Sequence, residues 1–321
     1  MIIVPEAAMA DLISRADAYR AVENVFASMS KGRACNFPVI REAIGHADAL
    51  YGFKSGFDRD GLALGLKSGG YWPGNADKGL TNHQSTVFLF DADSGQCRAV
   101  VGGNLLTALR TAAASAVSIN HLARQDAKVL GMIGAGHQSA FQLRAAVEQR
   151  DFDRIVGWNY HPDMLPRLAE VAAEVGLPFE AVSLEDLGVQ ADVIISITSA
   201  FAPSLMDAHV RPGTHIACMG TDTKGKQELD PALLARATVF TDEIAQSVTI
   251  GEAQHAIAAK LITESDITEI GAVINGTHPG RSDAEEITLF DGTGVGLQDL
   301  AVAAAVVDLA VAKGVATEVD F

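Results

Sequence analysis

The sequence predicts an α/β protein built on a doubly wound parallel sheet, and three observations carry that prediction. The stretch "VLGMIGAGHQSAFQLRAA" (129–146) reads as a strand, a glycine turn and the first turns of a helix. Strands and helices alternate after it, the pattern of successive βαβ units. "DVIISITS" and "THIACMG" are continuous apolar runs, as expected of parallel strands buried on both faces. At 321 residues the chain is long enough for about two domains. Roughly 130 residues precede the glycine turn and need an account of their own.

From Ala8 to about Lys31, apolar positions recur at helical spacing and predict one or two amphipathic helices. Strand-like runs follow in "NFPVI", "LYGFKSGF", "LALGLKSGGYW" and "STVFLFDADSGQCRAVV". The last reads as a hairpin turning at Asp93-Ser94-Gly95. "TALRTAAASAVSINHLA" (107–123) is alanine-rich and helical, with Thr107 as candidate N-cap. "KVLGMIGA" leads to a helix through about Gln149, and "RIVGWN" to one through Val175. "ATVFTD" is a further strand, and Asp230 before Pro231 reads as an N-cap. "LQDLAVAAAVVDLAVAK" is a closing helix ended by Gly314.

Composition narrows the partners. Twenty-four Lys+Arg against 40 Asp+Glu give a formal net charge of −16, which repels nucleic acid. An anionic substrate would need a local cluster of cations inside this acidic body. Cys35, Cys97 and Cys218 are odd in number and widely spaced, which fits thiols of a reducing cytosol. "MIIVPEAAMADLI" has no basic start, so it does not read as a signal peptide. The most apolar tract carries Asp299 and Asp308 and is too short and polar to span a bilayer. The expected compartment is the cytoplasm, with no membrane partner. The nine histidines show no metal spacing, and no metal is expected. A G-x-S-x-G elbow is absent, which argues against a serine hydrolase.

Gly134 and Gly136 supply the tight turn and the close backbone approach of a dinucleotide site, with small Ser139 and Ala140 beyond them. The second strand ends at Asn159, where an Asp or Glu would grip the adenosine ribose. No Arg or Lys adjoins it for a 2′-phosphate, although His161 is near. NAD, as NADH rather than NADPH, is the expected cofactor.

Five ordered motifs, "GLKSGGYWPGN", "LLTALRTAAASA", "GMIGAGHQSAFQ", "MGTDTKGKQELDP" and "LFDGTGVGLQDLA", resemble the ornithine cyclodeaminase/μ-crystallin family across nearly the whole chain. The resemblance implies a Rossmann-type sheet (118–296) inserted into a mixed α+β substrate-binding and dimerisation domain (1–117 plus 297–321), and a homodimer. "NFPV", "REAIGH", "ALYGFK", "GGYWP", "NHQSTVFLFD" and "TDTKGKQELDPAL" are similar to its iminosuccinate-reducing branch. That implies NADH-dependent reduction of an α-imino acid, iminosuccinate, to the amino acid L-aspartate. The family also holds the alternatives: cyclodeaminase-type lyases using bound NAD, other ketimine reductases, alanine dehydrogenases and non-catalytic NAD(P)H-binding crystallins.

Reducing an imine beside a carboxylate needs a carboxylate anchor, a proton source and a well-placed hydride. Arg110 suits the anchor, because a guanidinium fork matches a carboxylate. From position alone it also reads as a surface or internally paired Arg; the family motif favours function. Lys67 reads by itself as an edge-strand charge. By resemblance it contacts the substrate carboxylate or acts near the imine nitrogen. Arg41 matches a further carboxylate position, and Lys54 and His83 are candidates for a second carboxylate. Asp222, beyond the end of a parallel strand, reads either as a loop cap or, by family match, as the acid/base or iminium-stabilising group. Thr198 and Ser199 close a strand beside the expected nicotinamide. Thr111, His137, Gln138, Met219, Lys226 and Val295 join the cofactor candidates by resemblance.

Overall fold

A computed structural model describes residues 1–320. The chain divides into two compact units: Met1–Arg110 with the chain from Val295 onward, and Thr111–Gly294. The breaks fall at Arg110/Thr111 and Gly294/Val295, where the sequence places them at 117/118 and 296/297. The first break is invisible to sequence patterning, because one unbroken helix, Asn104–Leu122, runs through it.

In the first unit the strands order as Thr317–Glu318, Ile2–Val4, Cys97–Gly102, His83–Phe90, Ala63–Tyr71, Leu50–Asp58 and Ala34–Asn36, and Ile40–Ala43 also pairs with Leu50–Asp58. All pairings are antiparallel except that of Ile2–Val4 with Cys97–Gly102. The "NFPVI" run is therefore two short strands interrupted around Pro38, since a proline cannot donate to a ladder. The expected hairpin forms: Asp91 Oδ1 accepts from the Asp93 and Ser94 amides and holds its turn. The amphipathic leader becomes the Met9–Leu12 and Arg15–Ser30 helices, the second closed by a Ser14–Asp17 capping box.

The Gly296–Ala312 helix packs across the Ala63–Tyr71 and Leu50–Asp58 strands and against Arg15–Ser30. A Cβ on Gly65 would stand 3.0 Å from Leu300 Cδ2 and 2.2 Å from the Phe88 carbonyl oxygen. The missing side chain lets the helix lie close to the strands.

The second unit holds an eight-stranded, wholly parallel sheet. Its order is Phe179–Ala181, Arg154–Trp158, Val129–Ile133, Val193–Ser196, His215–Cys218, Thr288–Asp291, Thr238–Thr241 and Ile267–Glu269. Val193, Ile194, Ile195, Ile216, Ala217, Leu289 and Phe290 are fully buried, as strands covered on both faces must be. The chain runs outward one way from Val129–Ile133 and then returns to its other side at Val193–Ser196. This reversal is the switch point at which doubly wound sheets bind ligands, beyond the strands' carboxyl ends. The sheet is therefore of the Rossmann type. The helix after the glycine turn ends at Ala146 rather than Gln149.

One expectation fails. The alanine-rich helix starts at Asn104, not at Thr107. The Glu6 carboxylate accepts from the Asn104 and Leu105 amides, and the Thr107 amide already donates to the Gly103 carbonyl. A side chain distant in sequence thus does the capping. Arg110 consequently lies in the second helical turn.

Candidate active site

Along Ala63–Tyr71, alternation turns Ala63, Gly65 and Lys67 toward the buried face, the face covered by the Gly296–Ala312 helix. The strand has neighbours on both sides, so Lys67 is not an edge charge. It is 7% exposed and sits opposite Lys54 in register, an arrangement of like charges that is unfavourable unless an anion intervenes. Asp299 intervenes. In the first turn of its helix, where the dipole favours an acid, it is fully buried. Lys67 Nζ lies 2.9 Å from Asp299 Oδ2, while Arg110 Nε donates to Asp299 Oδ1 at 3.0 Å. Arg110 Nη1 donates to Gln298 Oε1 at 3.0 Å, and Lys67 Nζ reaches Thr107 Oγ1 at 3.5 Å.

The electrostatics follow from burial and charge count. Burial pushes the Lys67 ammonium down to about 7; Asp299 opposes this, whereas Arg110 and Lys54 reinforce it. His83, at the start of its strand, is driven to about 4 by burial and then by the Lys67 and Arg110 charges, with Arg41 adding to them. Despite its burial, Asp299 is held below the usual carboxylate range by Arg110 and Lys67. The first unit thus gathers Lys67, Arg110 and Lys54 into one field of positive potential around a buried carboxylate, with Arg41 contributing from further off and His83 held neutral beside them. Arg41 occupies the exposed Ile40–Ala43 strand.

The second unit carries the cofactor candidates other than Val295. Gly134 has φ +105°, and a Cβ there would meet the Ile197 carbonyl oxygen at 2.6 Å, so only glycine fits. A Cβ on Gly136 would meet nothing within 4 Å, so the backbone there opens onto free space at the start of the Ser139–Ala146 helix. Asn159 Oδ1 accepts from the Ala135 amide at 3.0 Å and its Nδ2 donates to the His161 carbonyl at 2.8 Å. Its carboxamide braces the turn. His137 is exposed against Phe141, and Gln138 Oε1 is buried without a partner. Thr111 and Met219 are buried; Val295, also buried, sits at the N-cap of the Gly296–Ala312 helix in the first unit. Asp222 pairs with Lys226 at 2.8 Å, and Lys226 also donates to the Gly220 carbonyl.

Sequence reasoning missed three acids. Asp299 appeared in it only as a charge within an apolar tract, yet that incongruity was the available signal. Glu228 accepts from Ser196 Oγ, the Thr198 amide and Thr198 Oγ1 on one oxygen and from the Gly220 amide on the other. It ties together the carboxyl ends of two adjacent strands, with Thr198 among its ligands. Glu252 accepts from the Glu228 and Leu229 amides and from Thr221 Oγ1. Burial, with Glu228 nearby, raises Glu252 to about 8. Among the described residues, no three His, Cys, Asp or Glu are placed to hold a metal ion.

Residues 2–314 match the ornithine cyclodeaminase/mu-crystallin family. The chain belongs to that family. Within it, the chain is 68% identical over 320 residues to the iminosuccinate reductase of Paracoccus denitrificans (strain Pd 1222), covering all of both chains. The crystal structure of the Paracoccus denitrificans enzyme in complex with NAD+ superposes with a TM-score of 0.97 at 67% identity, covering 100% of this chain and 99% of that one. An archaeal alanine dehydrogenase dimer with bound NAD superposes with a TM-score of 0.93 at 31% identity, over 100% and 99% of the two chains. Among the described residues of this family member, no helix is long and apolar enough to cross a membrane.

Proposed function

We propose that the protein is an NADH-dependent imine reductase that converts iminosuccinate to L-aspartate in the cytoplasm as a homodimer. The observation that carries the reading is the convergence of Lys67 and Arg110 on one buried carboxylate, in a chain 68% identical to an iminosuccinate reductase. In this reading the unit containing Met1–Arg110 binds substrate and dimerises, and Thr111–Gly294 holds the dinucleotide.

The glycine turn suits a pyrophosphate: Gly134 permits the turn, Gly136 leaves room above it, and a helix N-terminus follows. Gly134, Gly136, His137, Gln138 and Asn159 would hold or shape the phosphate and adenosine end. Thr111, Thr198, Ser199, Met219, Lys226 and Val295 would line the nicotinamide end. When bound, the reduced nicotinamide supplies the hydride. NADH is favoured over NADPH because "GWNYHPD" offers no Arg or Lys for a 2′-phosphate.

The chain's own residues do the rest. Arg110, Lys67 and Arg41 hold the carboxylate next to the imino carbon, and Lys54 and His83 are the candidates for the distal one. A Lys67 pKa of about 7 suits delivery of a proton to nitrogen near neutral pH. By family match, Asp222 takes the acid/base or iminium-stabilising role. Dimerisation is supported by the dimeric alanine dehydrogenase and by the exposed side chains of Phe37, Ile40, Ile44, Phe53 and Tyr71 in the first unit.

The test mixes purified protein with NADH and chemically generated iminosuccinate and follows absorbance of the reduced nicotinamide, with NADPH and the imines of pyruvate and glyoxylate as comparisons. Consumption with iminosuccinate is expected. No consumption with any imino acid overturns the reading, whereas ornithine-dependent release of ammonia without net NADH change would select the lyase alternative.

A further inference from the structure

Three buried charges in contact are a poor device for stability. Desolvating them costs several kcal/mol per ion, and apolar replacements of such groups are often neutral or stabilising. The Lys67–Asp299–Arg110 group therefore calls for another explanation, and its geometry offers one. Lys67 comes from a strand, Arg110 from a helix and Asp299 from the first turn of another helix. Each cation takes a different oxygen of one carboxylate, so their separation is set by the width of that carboxylate. Gln298 holds Nη1 of the same guanidinium and Thr107 lies beside the same ammonium, which limits rotation of both.

We propose that Asp299 is a positioning residue whose carboxylate fixes the Lys67 ammonium and Arg110 guanidinium side by side as one cradle for the carboxylate next to the imino carbon. This rests on the reductase reading and adds to it the group that assembles the anion site. Asp299 touches no reacting atom; it acts through the two cations. A second consequence is electrostatic. The groups facing Lys67 are Asp299 from its helix, Arg110 from the Asn104–Leu122 helix, Lys54 from the neighbouring strand, and His83 and Arg41 beyond. Asp299 supplies the negative charge in that set, so it keeps the lysine protonated among cations that would strip it.

The experiment compares wild type, Asp299→Asn and Asp299→Glu, each first checked for an intact fold by thermal melting. Asp299→Asn keeps shape and removes charge. It should lower kcat/KM for iminosuccinate about 100-fold, as small misplacements of an oriented substrate do, leave NADH affinity within about twofold, and move the alkaline limb of the pH profile to lower pH. Asp299→Glu keeps the charge and displaces it, so the limb should stay while KM rises. Should Asp299→Asn fail to fold, Asp299→Glu carries the test alone, and an unchanged KM overturns the proposal. Retention of both wild-type efficiency and pH profile in Asp299→Asn also overturns it.

The Nζ signal of Lys67 in 15N-lysine-labelled protein provides a readout independent of turnover. Its titration midpoint should lie near 7 in wild type and fall in Asp299→Asn. If wild type consumes no NADH with any imino acid, the reductase reading fails. An Nζ midpoint unmoved by Asp299→Asn counts against Asp299 separately.

Discussion

Glu228→Gln should loosen the mouth of the parallel sheet without removing any side chain assigned to ligand. The carboxylate accepts four hydrogen bonds, at 2.7 to 2.8 Å, from Ser196, Thr198 and Gly220. A glutamine oxygen can keep the three donors on the Ser196–Thr198 side, which turns its NH2 toward the Gly220 N–H. The buried Gly220 N–H is then unsatisfied, at about 1–3 kcal/mol, and faces an NH2 that can only donate. The three retained bonds lose their charge assistance, while removing a carboxylate whose burial raises its pKa offsets part of that loss. The net expectation is destabilisation by about 1–3 kcal/mol, and each kcal/mol lowers the melting temperature by roughly 2–4 °C for a unit of this size. Because the weakened bonds hold Thr198 less firmly, NADH should also bind less tightly, by up to about tenfold per 1.4 kcal/mol transferred to the site. Melting curves and fluorescence titration with NADH measure the two effects. A variant that melts like wild type and binds NADH equally well would refute the bridging role.

Arg110→Ala should raise KM or cut kcat/KM for the imino acid by about 100-fold or more, while fluorescence titration finds cofactor affinity retained. Gly134→Ala places a Cβ 2.6 Å from the Ile197 carbonyl oxygen at φ +105°, and should cost about 1–3 kcal/mol in a melt and abolish tight NADH binding. Since Lys67 must be an ammonium to act, wild-type kcat/KM should fall as pH rises through about 7, and Lys67→Arg, which stays charged, should erase that limb from the pH–rate profile along with most activity. Glu252 binds its proton more tightly folded than unfolded, so folding loses stability as pH rises from the ordinary carboxylate range toward about 8. Glu252→Gln should flatten that decline in melting temperature between pH 5 and pH 8.

How much of this was legible depended on the distance over which each feature is determined. The apolar strands around Val193–Ser196 and His215–Cys218 announce themselves by local pattern, as does the turn at Gly134. Phe179–Ala181 and Ile267–Glu269 are too short for any periodicity to register, while Thr288–Asp291, as long as Val193–Ser196, begins and ends on polar residues and so shows no continuous apolar run although it lies inside the sheet. The start of the Asn104–Leu122 helix was misread because its cap is Glu6, far away in sequence. Lys67 and Arg110 were identifiable as residue types suited to an anion. That both face Asp299 was not, because only the assembled sheet and helices put that carboxylate between them.

The Arg110–Asp299 contact spans 189 positions of the chain. During synthesis, Lys67 and Arg110 leave the ribosome long before their shared counter-ion exists, so a nascent chain halted before Gly296 carries two cations with no anion between them. Closing so long a loop comes late and slowly. The Gly296–Ala312 helix, translated well after the strand that carries Lys67, therefore completes the electrostatics around it, and chains halted before Gly296 should accumulate as open, aggregation-prone species.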